Sequence, residues 1–315
     1  MVDRRAVTAG LIGLGALPVR ALGAAREGTG VVEGQPTWSE SAMVLYFDPE
    51  ARNGLSLRIS RYPDRGKTWV WLHLLADGVL YTFTDSQVPC LADKIIAELP
   101  SATYPSPGLK ASISRIGTSG DLKAMSFSAE LRAHKGTSGT DGPGAAPVSV
   151  EGVFHPGPLL AGSPKGRFEH TGRVEATIRA AGKTIRLGGV GKAHEQTQTA
   201  PRFTTPFTYA MLWSADAGMI GLLSPERGYG DLDLDGRDVA MDRFRIEPWS
   251  PKRRFAALLK DGRTVEGSAE TVVSYQVPIF GRQWSGNVVR AQVAGHPMIG
   301  MINDWKPKEQ PYGLS

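Results

Sequence analysis

Residues 55–60, Leu-Ser-Leu-Arg-Ile-Ser, alternate apolar and polar side chains. This two-residue period is typical of a β-strand that buries one face. The next apolar run, Trp69–Leu75, stops at the pair Asp77-Gly78, and a second β-rich run, Val79–Phe83, follows at once. Two such runs around an Asp-Gly pair predict a β-hairpin. This part of the chain therefore favours antiparallel β-structure.

The same pattern continues through the rest of the chain. Short β-rich runs are separated by turn pairs such as Ala181-Gly182 and Asp261-Gly262, and only Leu91–Leu99 has helical spacing. Ten or more short strands in each 150 residues or so are typical of β-barrels or β-sandwiches. We therefore predict an all-β protein with few short helices.

Composition narrows the class of function. The 315 residues are 41% hydrophobic and 21% charged, with a net charge of +5, and no basic stripe with interleaved aromatic residues is present. We therefore expect no nucleic-acid partner. Cys90 is the only cysteine, so an internal disulfide or a cysteine cluster for a metal is excluded, and we expect no cofactor.

The N-terminus has the layout of an export signal. Arg4 and Arg5 precede a Gly-rich apolar run, and small residues near Ala24 offer a cleavage site, so residues 1–24 predict a twin-arginine-like signal and a periplasmic protein. An uncleaved N-terminal helix is the alternative. Pro18 and Arg20 stop the run short of the ~20 residues of a membrane span, so we expect no stable anchor.

A Gly/Pro-rich stretch, residues 136–149, suggests where the remaining chain divides. Such composition marks a long loop or an interdomain connection. We therefore expect an N-terminal half at residues 25–149 and a C-terminal half at residues 150–315. The oligomeric state is left open.

The densest set of chemical groups lies in two predicted strands joined by Ala181-Gly182. One strand carries Glu169 and His170, and the other carries His194 and Glu195. Imidazole titrates near neutrality, so it can accept and release protons, and a carboxylate can orient it. A surface hydrogen-bonding pair would explain the same residues. Metal binding by the four groups has no recognised spacing, and we expect no metal.

A second motif, Asp231-Leu-Asp-Leu-Asp-Gly236 with Asp242, has the oxygen-ligand spacing of a calcium loop. A strand that runs into an Asp-Gly turn explains the same residues, and we favour it. No nucleophile-elbow, phosphate-loop or dinucleotide fingerprint is present, which argues against serine hydrolases, kinases and dehydrogenases.

Aromatic side chains follow these segments at two-residue spacing. Such stripes form core, and in a barrel the inward face is also a ligand wall. An apolar cavity with a few polar groups is the usual form of a small-molecule site. The candidate wall residues are Trp69, Trp71, Phe207, Tyr209, Met211 and Trp213.

Several of these segments together resemble the AttH-like and hydroxyneurosporene-synthase-like family, which is related to lipocalins. The resemblance covers roughly residues 35–305 and is carried by Trp38–Asp48, the Asp77-Gly78 hairpin, Phe168–Gly172 and Gly189–His194. It implies two β-barrel-like halves and apolar, terpenoid or polyketide-like ligands. It also implies reactions such as the hydration catalysed by carotenoid 1,2-hydratase.

One departure from the family pattern bears on the reaction. Ala193 stands where the family has an aspartate, so one acid for protonating an alkene is missing, and His170 and Glu195 point to a different proton transfer. Lys192 stands for the family's arginine. The resemblance thus supports acid–base chemistry without fixing the reaction.

These observations lead to one hypothesis, one competing alternative and a third possibility, a calcium-dependent carbohydrate-binding β-module that rests on Asp231–Asp242. The hypothesis is a lyase or isomerase that needs no cofactor and performs hydration or dehydration, isomerisation or cyclisation. His194 is its acid or base, Glu195 or Glu169 the partner and His170 a second proton carrier, all inside an apolar hollow. Lys192 holds a polar substituent, and Glu40 is a weaker candidate. The alternative is a periplasmic carrier of a lipid or terpenoid that catalyses nothing.

Overall fold

The computed structural model describes residues 38–90, 101–103, 109–116, 124–137, 142–163, 167–199, 203, 205–279 and 282–305. The expected export signal at residues 1–24 and the helical spacing at Leu91–Leu99 lie outside the described residues. Both therefore stay predictions. The described residues contain no helix that is long and apolar enough to cross a membrane.

Eighteen strands and one short 3-10 turn, Pro63–Arg65, make up the described chain, which confirms the all-β prediction. The strands are β1 Ser39–Phe47, β2 Gly54–Tyr62, β3 Lys67–Ala76, β4 Val79–Pro89, β5 Ser101–Thr103, β6 Leu109–Ile116, β7 Ala124–Lys135, β8 Ala146–Ser163, β9 Arg167–Ala180, β10 Lys183–Gln198, β11 Phe207–Trp213, β12 Ala217–Leu223, β13 Gly228–Leu234, β14 Arg237–Ile246, β15 Lys252–Leu259, β16 Thr264–Ile279, β17 Arg282–Val293 and β18 His296–Trp305.

The strands form two antiparallel sheets. The first has the order β4-β3-β2-β1-β10-β9-β8-β7-β6-β5, with a further short pairing of β4 with β7. The second is a closed barrel of β11–β18 in chain order. Tight turns connect many neighbours: Asp77-Gly78, Ala181-Gly182 and Asp235-Gly236 all have positive φ at both positions, which suits two-residue hairpins.

Successive side chains of a strand point to opposite faces, and the buried ones pack into three cores. In β1, Ala42 and Val44 pack into a core on one face of the first sheet, whereas Met43 and Leu45 pack into a core between the first sheet and the barrel. The third core fills the barrel. Because both its faces are covered, β1 is buried along its whole length.

The boundary between the sheets differs from the expected one. The Gly/Pro-rich stretch at residues 136–149 begins directly after β7, and its last four residues already belong to β8, which pairs with β7 in the first sheet. β8, β9 and β10 also belong to that sheet, so the chain changes sheet between Gln198 and Phe207. The composition of a loop indicates a turn, but it carries no information on which strand the following one joins.

Candidate functional site

The carboxylate of Glu169 is the centre of a buried polar cluster between the first sheet and the barrel. Its Oε1 atom lies 2.6 Å from His194 Nδ1, 2.5 Å from the Tyr209 hydroxyl and 2.8 Å from Arg167 Nε. The ammonium of Lys192 contacts Oε2. We call these five residues the interface cluster. The Glu169 carboxylate accepts a hydrogen bond from each of the other four residues.

The β9–β10 hairpin positions most of this cluster. Glu169 and His194 are directly opposite each other across the two strands, and Arg167 and Lys192 lie two residues from them, on the same face. The turn Ala181-Gly182 sets this register. Tyr209 comes from β11 of the barrel, so its hydrogen bond to Glu169 ties the two sheets together.

Charge decides the protonation state of Glu169. Burial would raise the pKa of this carboxyl, but His194, Lys192 and Arg167 hold it well below its ordinary value. The two cations flank it, and the ring nitrogen of His194 donates to it. Glu169 is therefore ionised at neutral pH and acts only as an acceptor.

His194 is neutral at the same pH. Burial lowers the pKa of its imidazole to about 3, although Glu169 favours the charged form. Because an ionised carboxylate only accepts, the proton of the neutral ring is on Nδ1, and Nε2 keeps its lone pair. The interface cluster thus orients a neutral base, with a carboxylate ready to stabilise the cation formed when Nε2 takes a proton.

Lys192 and Tyr209 complete the electrostatics of the interface cluster. Burial lowers the pKa of Lys192, and Glu169 partly offsets this effect. Burial also raises the pKa of Tyr209 well above its ordinary value. Lys192 was expected to hold a polar substituent of a ligand, but its ammonium is fully buried against Glu169.

His170 and Glu195 lie on the opposite face of the hairpin, next to the first core. They neighbour Glu169 and His194 in sequence, and strand alternation turns them away. Glu195 pairs with Arg115 of β6, and Glu40 pairs with Arg61 at 2.6 Å. We call these five residues the inner cluster. The four groups of the hairpin therefore form two separate sites and do not converge on one hollow.

The aromatic stripe of β11 points out of the barrel, towards the first sheet. Tyr209, Met211 and Trp213 belong to the core between the sheets, and Phe207 packs against it. Trp69 and Trp71 of β3 meet them from the other side. The barrel interior contains Ala210 and Leu212 instead, so the expected ligand wall lies between the sheets and not inside the barrel.

A cavity of about 20 Å³ lies in this core, next to the interface cluster. This volume is smaller than the apolar hollow that the sequence suggested, because ring side chains fill the space. It is lined by Met43, Ser56, Arg58, Trp71, His73, Tyr209, Tyr275, Trp284, Met301 and Asn303. A wider groove of about 990 Å³ runs along β6–β9, but it is open and contains none of the expected site residues.

The family was identified by comparison with known proteins. A model described as domain of unknown function DUF7064 matches residues 25–193, more than half of the chain. The chain belongs to the DUF7064 family. The match includes Glu169 and Lys192 and ends one residue before His194. A search of curated protein sequences finds no match.

Solved structures share the fold of this DUF7064 protein. AttH from Nitrosomonas europaea has a TM-score of 0.56 at 11% identity, covering 86% of this chain and 92% of its own. CghA with Sch210972 has 0.52 at 12% identity, covering 86% and 89%. Kievitone hydratase from Nectria haematococca has 0.50 at 9% identity, covering 88% and 92%. The resemblance to the lipocalin-like AttH group is thus confirmed as a likeness of fold.

Some site residues of the DUF7064 protein were missed from the sequence, although a signal existed. Arg167 lies two residues from Glu169, so strand alternation would have placed it in the same cluster. His73 follows Trp69 and Trp71 at the same spacing, on the face that lines the cavity. Tyr275 and Asn303 come from distant strands, and nothing in the local sequence marks them.

The calcium-like motif of the DUF7064 protein is the β13–β14 hairpin, as the turn interpretation predicted. Asp233 pairs with Asp238 across the two strands, and Asp235-Gly236 forms the turn. Within the described ranges, one group of residues has metal-ligand spacing: Asp216, Asp235 and His296, with both aspartates exposed. Exposed acidic groups are common without an ion, so the group is no evidence of a metal site.

Proposed function

We propose that this protein is an enzyme of the lyase or isomerase type that moves protons on an apolar small molecule at the junction of the two sheets. The observation that carries the proposal is the buried pair of His194 and Glu169. A neutral imidazole with its lone pair on Nε2 and an ionised carboxylate behind it is an oriented general base. The aromatic core beside it suits an apolar substrate.

In this proposal each member of the interface cluster has a role. His194 takes a proton from the substrate at Nε2 and returns it at another atom. Glu169 positions the ring and stabilises the imidazolium, and Lys192, Arg167 and Tyr209 keep Glu169 ionised and fixed. His170, Glu195 and Glu40 have no part in the reaction, because they lie in the inner cluster.

The fold comparisons support the class of reaction. One neighbour is named a hydratase, and its chain aligns over 88% of this one. Hydration or dehydration, isomerisation and cyclisation all need proton transfer and no redox cofactor. The small cavity indicates that the substrate enters by separating the aromatic side chains between the sheets.

The test compares His194→Ala with His170→Ala. These two histidines lie on adjacent strands of one hairpin but on opposite faces. With a panel of terpenoid alkenes and alcohols and product analysis by mass spectrometry, we expect His194→Ala to abolish turnover while ligand affinity stays nearly intact. His170→Ala is expected to keep turnover.

The same preparation distinguishes the enzyme from a carrier. Solvent extraction of the purified protein identifies apolar molecules that are bound to it. A bound molecule that is recovered unchanged after incubation, together with equal behaviour of both variants, would favour the carrier and remove His194 from the mechanism.

A further inference from the structure

We propose that His73 and Asn303 form a hydroxyl-binding subsite in the cavity between the sheets, for the hydroxyl of either an alcohol substrate or a water molecule. The inference rests on the proposed function and adds the class of group that binds beside the interface cluster. Its basis is a pair of buried polar atoms, the size of the cavity and the chemistry of its walls.

The two polar atoms are His73 Nε2 and Asn303 Oδ1. Neither has a hydrogen-bond partner, and the two residues are 3% and 4% exposed. Most buried polar groups in proteins are hydrogen-bonded, because an unpaired one is costly. His73 and Asn303 come from different sheets, and both line the same cavity. Two such atoms at one cavity indicate a site for a polar group.

Their positions follow from strand register. Tyr275, Gly286, Asn303 and Tyr209 are directly opposite one another on four adjacent strands of the barrel. A Cβ at Gly286 would overlap the Tyr275 ring, so the glycine allows this ring to lie across the barrel surface. His73 of the first sheet stacks on Tyr275, with ring centroids 3.8 Å apart. The stack holds the His73 ring at the cavity.

The cavity volume limits what the subsite can hold. Its 20 Å³ exceeds the roughly 10–15 Å³ that one water molecule needs and leaves no room for a larger group. The subsite therefore accepts a single oxygen, either free as water or at the end of a chain that continues between the aromatic side chains.

The walls select a hydroxyl among oxygen groups. Asn303 Oδ1 accepts a hydrogen bond, which a carbonyl or carboxylate oxygen cannot donate. Arg58 also lines the cavity, and its charge disfavours an ammonium. A hydroxyl donates to Asn303 and still accepts from or donates to His73, according to the tautomer of the ring.

The subsite is close to the proposed base. Tyr209 lines the cavity and also donates to Glu169, so one ring separates the two sites. Met43, another lining residue, is directly opposite His194 on the neighbouring strand. A hydroxyl bound here is therefore separated from the interface cluster by a single layer of side chains.

The test uses two probes with the same carbon skeleton, geraniol and myrcene, which differ by one water molecule; the geraniol hydroxyl is at the end of its chain. Trp71 and Trp284 line the cavity, so quenching of tryptophan fluorescence reports binding to the full chain. We expect wild type to bind the alcohol at least about tenfold more tightly than the hydrocarbon, the effect of a hydrogen bond made in a buried site.

Two variants remove the polar atoms one at a time. Asn303→Ala removes the amide without filling the cavity, and His73→Phe removes the ring nitrogens while keeping the stack on Tyr275. Each is expected to bring the alcohol-to-hydrocarbon ratio close to one. The matched control, Met43→Leu, changes an apolar lining residue and is expected to keep the ratio. A ratio near one in wild type with no water oxygen between His73 Nε2 and Asn303 Oδ1 overturns the subsite, and so does a higher ratio that both variants leave unchanged.

Crystal structures separate the two sources of the hydroxyl. A water oxygen between His73 Nε2 and Asn303 Oδ1 in the ligand-free protein supports the water arm, and the geraniol oxygen at the same place supports the alcohol arm. Oxygen at neither place contradicts the inference. Binding does not require turnover, so His194→Ala should keep the alcohol-to-hydrocarbon ratio. A lost ratio overturns the subsite alone. Unchanged turnover in His194→Ala overturns the proposed function alone.

Discussion

The interface cluster and the inner cluster are built from the same two strands but differ in what surrounds their carboxylates. Glu169 is fully buried and accepts from four donors, two of them cations. Glu195, one residue beyond His194, pairs with the partly exposed Arg115. The comparison teaches that two Glu–His neighbours in sequence can have unrelated environments, because alternation in a strand sends adjacent residues to opposite faces.

The two clusters should differ most in the cost of removing the charge of their carboxylates. Glu169→Gln leaves the fully buried Lys192 without its carboxylate and also removes the partner of the partly exposed Arg167, so we expect a loss of about 3–5 kcal/mol in the free energy of unfolding. Glu195→Gln, whose partner Arg115 is partly exposed, should cost roughly 1–2 kcal/mol. Urea unfolding measures both variants.

A second substitution checks the cause of that loss. Glu169→Gln combined with Lys192→Met removes the unpaired ammonium and should recover a large part of the stability. Equal costs for Glu169→Gln and Glu195→Gln, or no recovery in the double variant, would show that the interface cluster is not held by charge.

The next largest loss of stability is expected from removing the hydrogen bond between Tyr209 and Glu169, which joins the two sheets. Tyr209→Phe removes a hydroxyl that donates to an ionised carboxylate, which should cost about 1.5–3 kcal/mol. Tyr46→Phe is the matched control: its hydroxyl donates to the neutral carbonyl of Gly188 at 3.1 Å and should cost about 0.5–1.5 kcal/mol. Thermal or urea unfolding of Tyr209→Phe and Tyr46→Phe measures both costs. Equal costs would contradict an ionised acceptor for the Tyr209 hydroxyl.

Counted per pH unit, the smallest effect concerns pH. Burial lowers the pKa of His194 in the folded protein to about 3, so below about pH 6.5 the unfolded chain binds the extra proton. The free energy of unfolding should therefore fall with decreasing pH, by up to about 1.4 kcal/mol per pH unit for this histidine, until about pH 3.

Substitution isolates this contribution to the pH dependence. His73, which has a similarly lowered pKa, adds a comparable slope that remains in a His194 variant. His194→Gln should thus reduce the slope of the unfolding free energy against pH by up to about 1.4 kcal/mol per pH unit, which corresponds to one proton. An unaltered slope in His194→Gln would mean that His194 titrates normally in the folded protein.

Part of this picture was available from the sequence. The two-residue periods predicted the strands, and the turn pairs placed Asp77-Gly78 and Ala181-Gly182 correctly, so the pairing of the β9 and β10 ends followed. Local turn chemistry is sufficient for such contacts, because the paired residues are close in the chain.

The remaining contacts join distant residues. Met43 of β1 pairs with His194 of β10, and Tyr209 reaches Glu169 from the other sheet. Neither contact has a local signal, so the sequence could not show which face of the hairpin is covered by the barrel. For the same reason it could not show that β8–β10 join the first sheet or that His170 and His194 lie on opposite faces of the hairpin.

The central claim is that Glu169 holds His194 as a neutral base with a free lone pair on Nε2. Nitrogen NMR of protein with ¹⁵N-labelled histidine measures this directly, with the His194 signals assigned from their loss in His194→Gln. We predict a ring that is protonated at Nδ1 only, from pH 7 down to about pH 4. A doubly protonated ring at pH 7, or a proton on Nε2 instead of Nδ1, would contradict the account.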